Sequence, residues 1–265
     1  MRRRNHTAGV AQRAFVLLFI AFMLAPLVVV MGASLEPREL LRFPPDGLSL
    51  RWYRQALQDA SFVAAAWHSL VVGVLAALGA LLLGVPAAYA LARRRSAATP
   101  ALSGLFAAPL LVPELVIGVA LLQIAAAMGL PLSLTTVTVA HVLICLPYVV
   151  RTVHAAVQGI EPVVEEAAAS LGAGRLRIYL TVILPLVRPA LMTSLLFAFL
   201  ISFDNTVMTM FLGSSRSTTL PIAIYSYVTF NLDPMIAAIS TLLIIVSVLI
   251  MMVARMLGPV DRIGA

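Results

Sequence analysis

Glu165 to Pro189 reads EEAAASLGAGRLRIYLTVILPLVRP, a polar island between strongly apolar runs. Glu161-Pro162 just upstream suits a helix start, because proline is tolerated at the first helical position, where no intrahelical N–H is needed. Glu165 and Glu166 then sit near the positive end of the helix dipole. Ala167, Ala168 and Ala169 favour helix and leave a small-residue surface that another backbone can approach closely. Gly172 and Gly174 permit a sharp turn without a Cβ penalty, and Pro185 and Pro189 are expected to close the helical stretch that follows. The residues themselves allow two readings: an amphipathic connector on a membrane surface, or a lever through which a soluble partner delivers force.

The rest of the chain supplies the membrane. It has 265 residues, of which 62% are hydrophobic and 11% charged, whereas a soluble domain carries about 25% charge. About 20 apolar helical residues cross a bilayer core, and six runs qualify: 14–33, 63–91, 101–128, 132–150, 189–212 and 236–257. The pattern predicts an all-α, polytopic membrane protein with six transmembrane helices. The N-terminal apolar run exceeds a secretory h-region of about 7–15 residues, so it reads as a retained first span. Residues 36–61 form an external loop, and its end, LSLRWYRQAL around Trp52 and Tyr53, has the character of an interfacial helix.

All eighteen basic residues are arginine. Their placement predicts topology rather than nucleic-acid binding, despite the formal charge of +7. Arg2, Arg3, Arg4, Arg13, Arg93, Arg94, Arg95, Arg151, Arg175, Arg177, Arg188, Arg255 and Arg262 fall on one side of the spans. Arg38, Arg42, Arg51, Arg54 and Arg216 fall on the other. The positive-inside rule puts the larger set, and both termini, in the cytoplasm. Without lysine, P-loop and Schiff-base chemistry are excluded. Cys145 is alone, so neither an intrachain disulfide nor a cysteine zinc site can form. The histidines lack ligand spacing; His68 and His141, within spans, are expected to be buried and hydrogen-bonded. With neither an HExxH nor a Gly-x-Ser-x-Gly motif, no metal, cofactor or catalytic residue is predicted.

Glu166-Ala167-Ala168, three residues, Gly172, nine residues, Val182, one residue and Leu184-Pro185 resembles the EAA motif of ABC importer permeases; Val182 stands where that family more often has isoleucine. The likeness extends over about residues 63–256 and implies a type I ABC importer permease fold in the bacterial inner membrane. It also implies partners: ABC ATPase subunits, a second permease subunit in a heterodimer, and an extracytoplasmic substrate-binding protein. Glu165, Glu166, Ala167, Ala168, Gly172, Leu184 and Pro185 would then couple to the ATPase, which hydrolyses the ATP. The expected organisation is 1–62 (tail, first helix, external loop), 63–256 (permease core with a cytoplasmic coupling loop, 151–188) and 257–265 (cytoplasmic tail).

A narrower resemblance is to the spermidine/putrescine permease group, of the second-subunit, PotC-like type. It rests on Pro113 to Gly118 (PELVIG), Ser202-Phe203-Asp204-Asn205, Thr218-Thr219-Leu220-Pro221, Ile224-Tyr225-Ser226 and Ser240 to Leu243. His68 replaces a common asparagine, and Asn205 stands where many relatives have a second acid. Glu114 and Asp204 are the acids well inside apolar runs, and a charge at bilayer depth costs about 2.5–3.5 kcal/mol on insertion scales. They either line a cation path, with Phe203, Asn205 and Tyr225 beside them and aromatic faces for cation–π contact, or pair structurally at a helix break. The alternatives to a polyamine importer are an ABC permease for another solute and a stand-alone secondary transporter or channel, for which no matched repeat halves are evident.

Overall fold

The computed structural model describes residues 6–94 and 96–257, with side chains described from 12 to 94 and 96 to 252. Arg2, Arg3, Arg4, Arg95, Arg262 and the tail beyond residue 257 lie outside the described residues, as does the side chain of Arg255. All regular structure among the described residues is helical.

Four continuous helices are long and apolar enough to cross a bilayer: α1 (His6–Ala33), α3 (Ala60–Arg93), α6 (Leu134–Gln158) and α13 (Met235–Leu257). Two further spans are bent pairs. The first joins α4 (Thr99–Ala107), which runs on as a 3-10 turn to Leu110, to α5 (Glu114–Ala127) at an angle of 100°. The second joins the segment Arg175–Leu186 to α10 (Arg188–Phe203) at 74°. Six spans result, matching the expected number, but the third is not the straight run 101–128 that its hydropathy suggested. Pro113 has no N–H to continue the ladder and restricts Val112, so the chain breaks at 111–113 and restarts at Glu114.

The expected fifth span, 189–212, is interrupted as well. α10 ends at Phe203, and the short α11 covers Val207–Leu212. No proline does this. Asn205 Oδ1 instead accepts the Met208 amide at 2.9 Å, an Asx-type cap that starts a new helix where the old one stopped. The fourth span is longer than the expected 132–150. It begins at a cap in which Ser133 accepts the Thr136 amide at 3.3 Å, and it runs unbroken past Pro147 to Gln158. A helix not foreseen in the sequence, α12, covers Leu220–Phe230.

The chain forms two compact units, Met1–Val63 with Ile224–Val246, and Ala64–Ala223 with Ser247–Ala265. In the first, the external loop is a folded piece rather than a slack connector. Glu36, fully enclosed, accepts the amides of Arg38 (3.0 Å) and Asp46 (2.8 Å), and its own carbonyl accepts the Trp52 indole N–H at 2.7 Å. Trp52 belongs to α2 (Arg51–Gln58), the helix expected from LSLRWYRQAL, and it is buried in the loop itself. Phe62 meets Tyr227 edge-on at 5.4 Å, and the Tyr227 hydroxyl donates to Asp233, whose other oxygen caps the Met235 amide.

The second unit has a core of small and β-branched residues: Val72, Ala77, Ala80, Val85 and Ala88 of α3 against Val137 to Val157 of α6, with Ala198, Met208 and Leu212 completing it. Small side chains let membrane helices approach closely, since lipid offers no hydrophobic gain for association. At Gly84 a Cβ would sit 2.8 Å from Val149 Cγ1, so α3 and α6 touch through that glycine. Cys145, buried in this core, donates its thiol to the Ala198 carbonyl across the α6–α10 contact.

Candidate functional site

Two groupings in the second unit gather the residues singled out by sequence, Tyr225 excepted. The first is the Glu165–Pro189 segment. α7 (Pro162–Ser170) starts with Pro162 after Glu161, as the sequence suggested. It ends in a Schellman turn: the Gly172 amide donates to the Ala169 carbonyl (2.9 Å) and the Ala173 amide to the Ala168 carbonyl (3.1 Å). Gly172 has φ +84°, a left-handed value that L residues avoid, which is the physical reason for glycine there. Four residues of helix, α8 (Arg175–Ile178), then open into a π-helical turn over Tyr179–Ile183 and close as α9 (Leu184–Leu186). Pro185 therefore lies inside this stretch, and Pro189 opens α10 rather than ending α9.

The coupling residues divide by direction. Glu166, Ala167, Gly172 and Pro185 are exposed, with Leu171 beside them 90% exposed. Ala168 and Leu184 are partly buried and pack on the core. Glu165 turns inward. Its carboxylate accepts Arg93 Nε at 2.5 Å through one oxygen and the Tyr89 hydroxyl at 2.7 Å through the other. Arg93 also donates through Nη2 to the Ile160 carbonyl at 2.9 Å, and the Tyr89 ring lies 5.1 Å from that of Tyr179. Arg93 and Tyr89 were not legible as parts of this site. Arg93 carried only a topological signal, and Tyr89 lay in an apolar run.

The second grouping lies where the two broken spans meet. The Asn205 side-chain amide donates to Glu114 Oε1, joining the restart of the third span to the break in the fifth. Pairing at a helix break was one of the two readings open for Glu114. His141, fully buried, meets Ser202 Oγ at 2.7 Å and, at a longer 3.5 Å, Thr209 Oγ1. His68 is likewise hydrogen-bonded, Nδ1 to the Thr218 carbonyl at 3.0 Å. Both histidines are hydrogen-bonded as expected, but only His141 is buried; His68 is partly exposed. Phe203 stacks on Phe199 with ring centroids 5.4 Å apart, and Asp204 is exposed at the break. Tyr225, on α12 in the other compact unit, is 61% exposed.

The geometry is that of a helical membrane chain with broken spans and an exposed, glycine-terminated connector between two of them. Residues 80–260 match the family model for the binding-protein-dependent transport system inner membrane component. The chain belongs to that family, the permeases of type I ABC importers, and is a multi-pass inner-membrane protein. Among similar proteins, the spermidine/putrescine transport system permease protein PotC of Escherichia coli (strain K12) is 31% identical over 250 residues, covering 94% of this chain and 93% of that one. The putrescine transport system permease protein PotI of the same strain is 32% identical over 235 residues, covering 86% and 83%. In fold, a chain of a bacterial ABC transporter involved in the import of the acidic polysaccharide alginate superposes with a TM-score of 0.78 at 17% identity, over 96% of this chain and 98% of that one. Membership of this family sets aside the stand-alone secondary transporter.

Proposed function

We propose that this chain is one of two permease subunits in an ATP-driven importer for polyamines or closely related small cations, working with ABC ATPase subunits and an extracytoplasmic binding protein. ATP hydrolysis belongs to the ATPase partner. The observation that carries the coupling part is the exposed face of α7 and its end: Glu166 and Ala167, with Leu171 just beyond, are exposed on a helix that the Gly172 turn terminates. A soluble partner can grip such a face, and the arginine distribution orients it, with both termini, toward the cytoplasm. Residues 63–256 act as the permease core, 151–188 as its cytoplasmic coupling region, and 1–62 and 257–265 as flanking parts.

Nucleotide binding favours one packing of the permease pair over the other, which is all that alternating access requires. The solute assignment draws on the identity to PotC and PotI over most of the chain. In this reading Asp204 offers an exposed carboxylate on the path, Phe203 offers an aromatic face, and Glu114 with Asn205 ties the two helix breaks together. A different solute is the second reading. It draws on Glu114 being engaged by Asn205, while Asp204 at the same helix break has no side-chain hydrogen bond among the described residues.

Affinity purification of the intact chain from its host in mild detergent should bring down an ABC ATPase, and membranes containing it should take up labelled spermidine in an ATP-dependent manner. A chain that purifies alone and transports unaided would refute the importer reading. An ATPase-bound complex that ignores spermidine and putrescine would refute the solute alone.

A further inference from the structure

Glu165 and Glu166 are adjacent acids of the same type, yet they face opposite ways. Glu166 is exposed, whereas the Glu165 side chain is only 18% exposed and both its oxygens are engaged. Those two bonds reach the last turn of α3, because Tyr89 and Arg93 are four residues apart and share one face of that helix. Arg93 uses its remaining arm on the carbonyl of Ile160, the residue of the turn between α6 and α7. Tyr89 packs on Tyr179, the first residue of the π-helical turn on the far side of the Gly172 bend. Four pieces of chain therefore converge on one carboxylate: the end of α3, the α6–α7 turn, α7, and the π-helical turn leading to α10. A two-oxygen carboxylate held by a guanidinium and a phenol has fixed direction, unlike a flexible surface pair.

We infer that Glu165 is a transmission residue rather than an ATPase contact: with Arg93 and Tyr89 it fastens the coupling helix to the cytoplasmic end of α3, so that displacement of α7 reaches the third helix directly. The inference rests on the proposal that α7 is where the ATPase docks. It separates the two acids by task, Glu166 on the docking face and Glu165 on the inner face as a positioning residue acting through Arg93. Without the fastening, α7 would swing on the glycine turn and leave α3 behind.

The test is hydrogen–deuterium exchange on the intact complex in nanodiscs, with and without ATP plus vanadate, comparing the unaltered chain with E165Q. In the unaltered complex nucleotide should change exchange both in residues 162–172 and in residues 85–93. E165Q keeps an acceptor for Tyr89 but removes the charge opposite Arg93. It should retain the ATPase and the nucleotide response of 162–172, and lose the response of 85–93. R93K, which keeps the charge without the two-armed geometry, should retain part of it. Y89F, which deletes one hydroxyl, reads the same path if E165Q does not fold and insert in the membrane. No nucleotide response in 85–93 of the unaltered complex, or an undiminished one in E165Q, would overturn the inference. So would loss of the bound ATPase in E165Q, which would make Glu165 a contact. An unaltered chain that carries no ATPase before nucleotide is added fails the importer reading instead, and is recognised as such at the purification step.

Discussion

Replacing Gly172 separates what the chain needs for itself from what a partner needs of it. At φ +84° an alanine pays the left-handed penalty of about 1–2 kcal/mol, partly offset because alanine also restricts the unfolded chain by about 0.4–1 kcal/mol relative to glycine. The net intrinsic cost of G172A is then about 1 kcal/mol, close to a fivefold change in the local equilibrium. Nothing lies within 4 Å of a Cβ built at this position. A Cβ therefore meets no neighbour at this turn, and G172R should destabilise the isolated protein by about as much as G172A. G172N should cost less than either, because asparagine tolerates this backbone region. Denaturant unfolding of the detergent-solubilised chain gives this intrinsic ranking. Co-purification of the ATPase then gives the extrinsic one: G172A should retain most of it, and G172R should lose it, since its bulk projects from the docking face. If Arg and Ala destabilise the isolated chain unequally, the open surroundings of Gly172 are misjudged. If they bind ATPase equally well, the outer face of this turn is not a docking face.

Three other outcomes follow from the packing and the electrostatics. N205A removes both the donor to Glu114 and the cap on the Met208 amide, and should destabilise the protein by about 1 kcal/mol, a size common for membrane hydrogen bonds, as read by unfolding in detergent. G118A places a Cβ 2.5 Å from Phe211 Cδ2, so α5 and α11 must separate or the ring must turn; a cost of about 1–3 kcal/mol is expected, and F211A in the same chain should relieve most of it. In the external loop, the amides of Asp46 and then Arg38 hold the Glu36 carboxyl below its ordinary value of 4.5. Because the folded-state value is depressed, its contribution is present above the ordinary value and fades as pH falls through the folded one. Acidification below 4.5 should therefore loosen the loop and alter Trp52 emission in a W67F background, and E36Q should flatten that dependence.

Hydropathy determined the fold class and the number of spans on its own, because crossing a bilayer imposes a length and a polarity that any chain must declare in its residues. The EAA-type spacing was equally local: Pro162 at a helix start and Gly172 at a left-handed turn act through their own backbone, so their positions could be read directly. Where the spans bend was only half declared. Pro113 signalled the break in the third span, but Asn205 breaks the fifth by a side-chain cap that an apolar average over 189–212 conceals. Only the tertiary structure decided which way each acid faces. Glu165 and Glu166 are indistinguishable by composition, and their separation depends on Arg93 and Tyr89, 72 and 76 residues away along the chain. Glu114 likewise acquires its partner from Asn205, 91 residues on. Periodicity reports what a residue's own helix does; which side chain completes a carboxylate's hydrogen bonds depends on how distant helices pack, and no local pattern carries that.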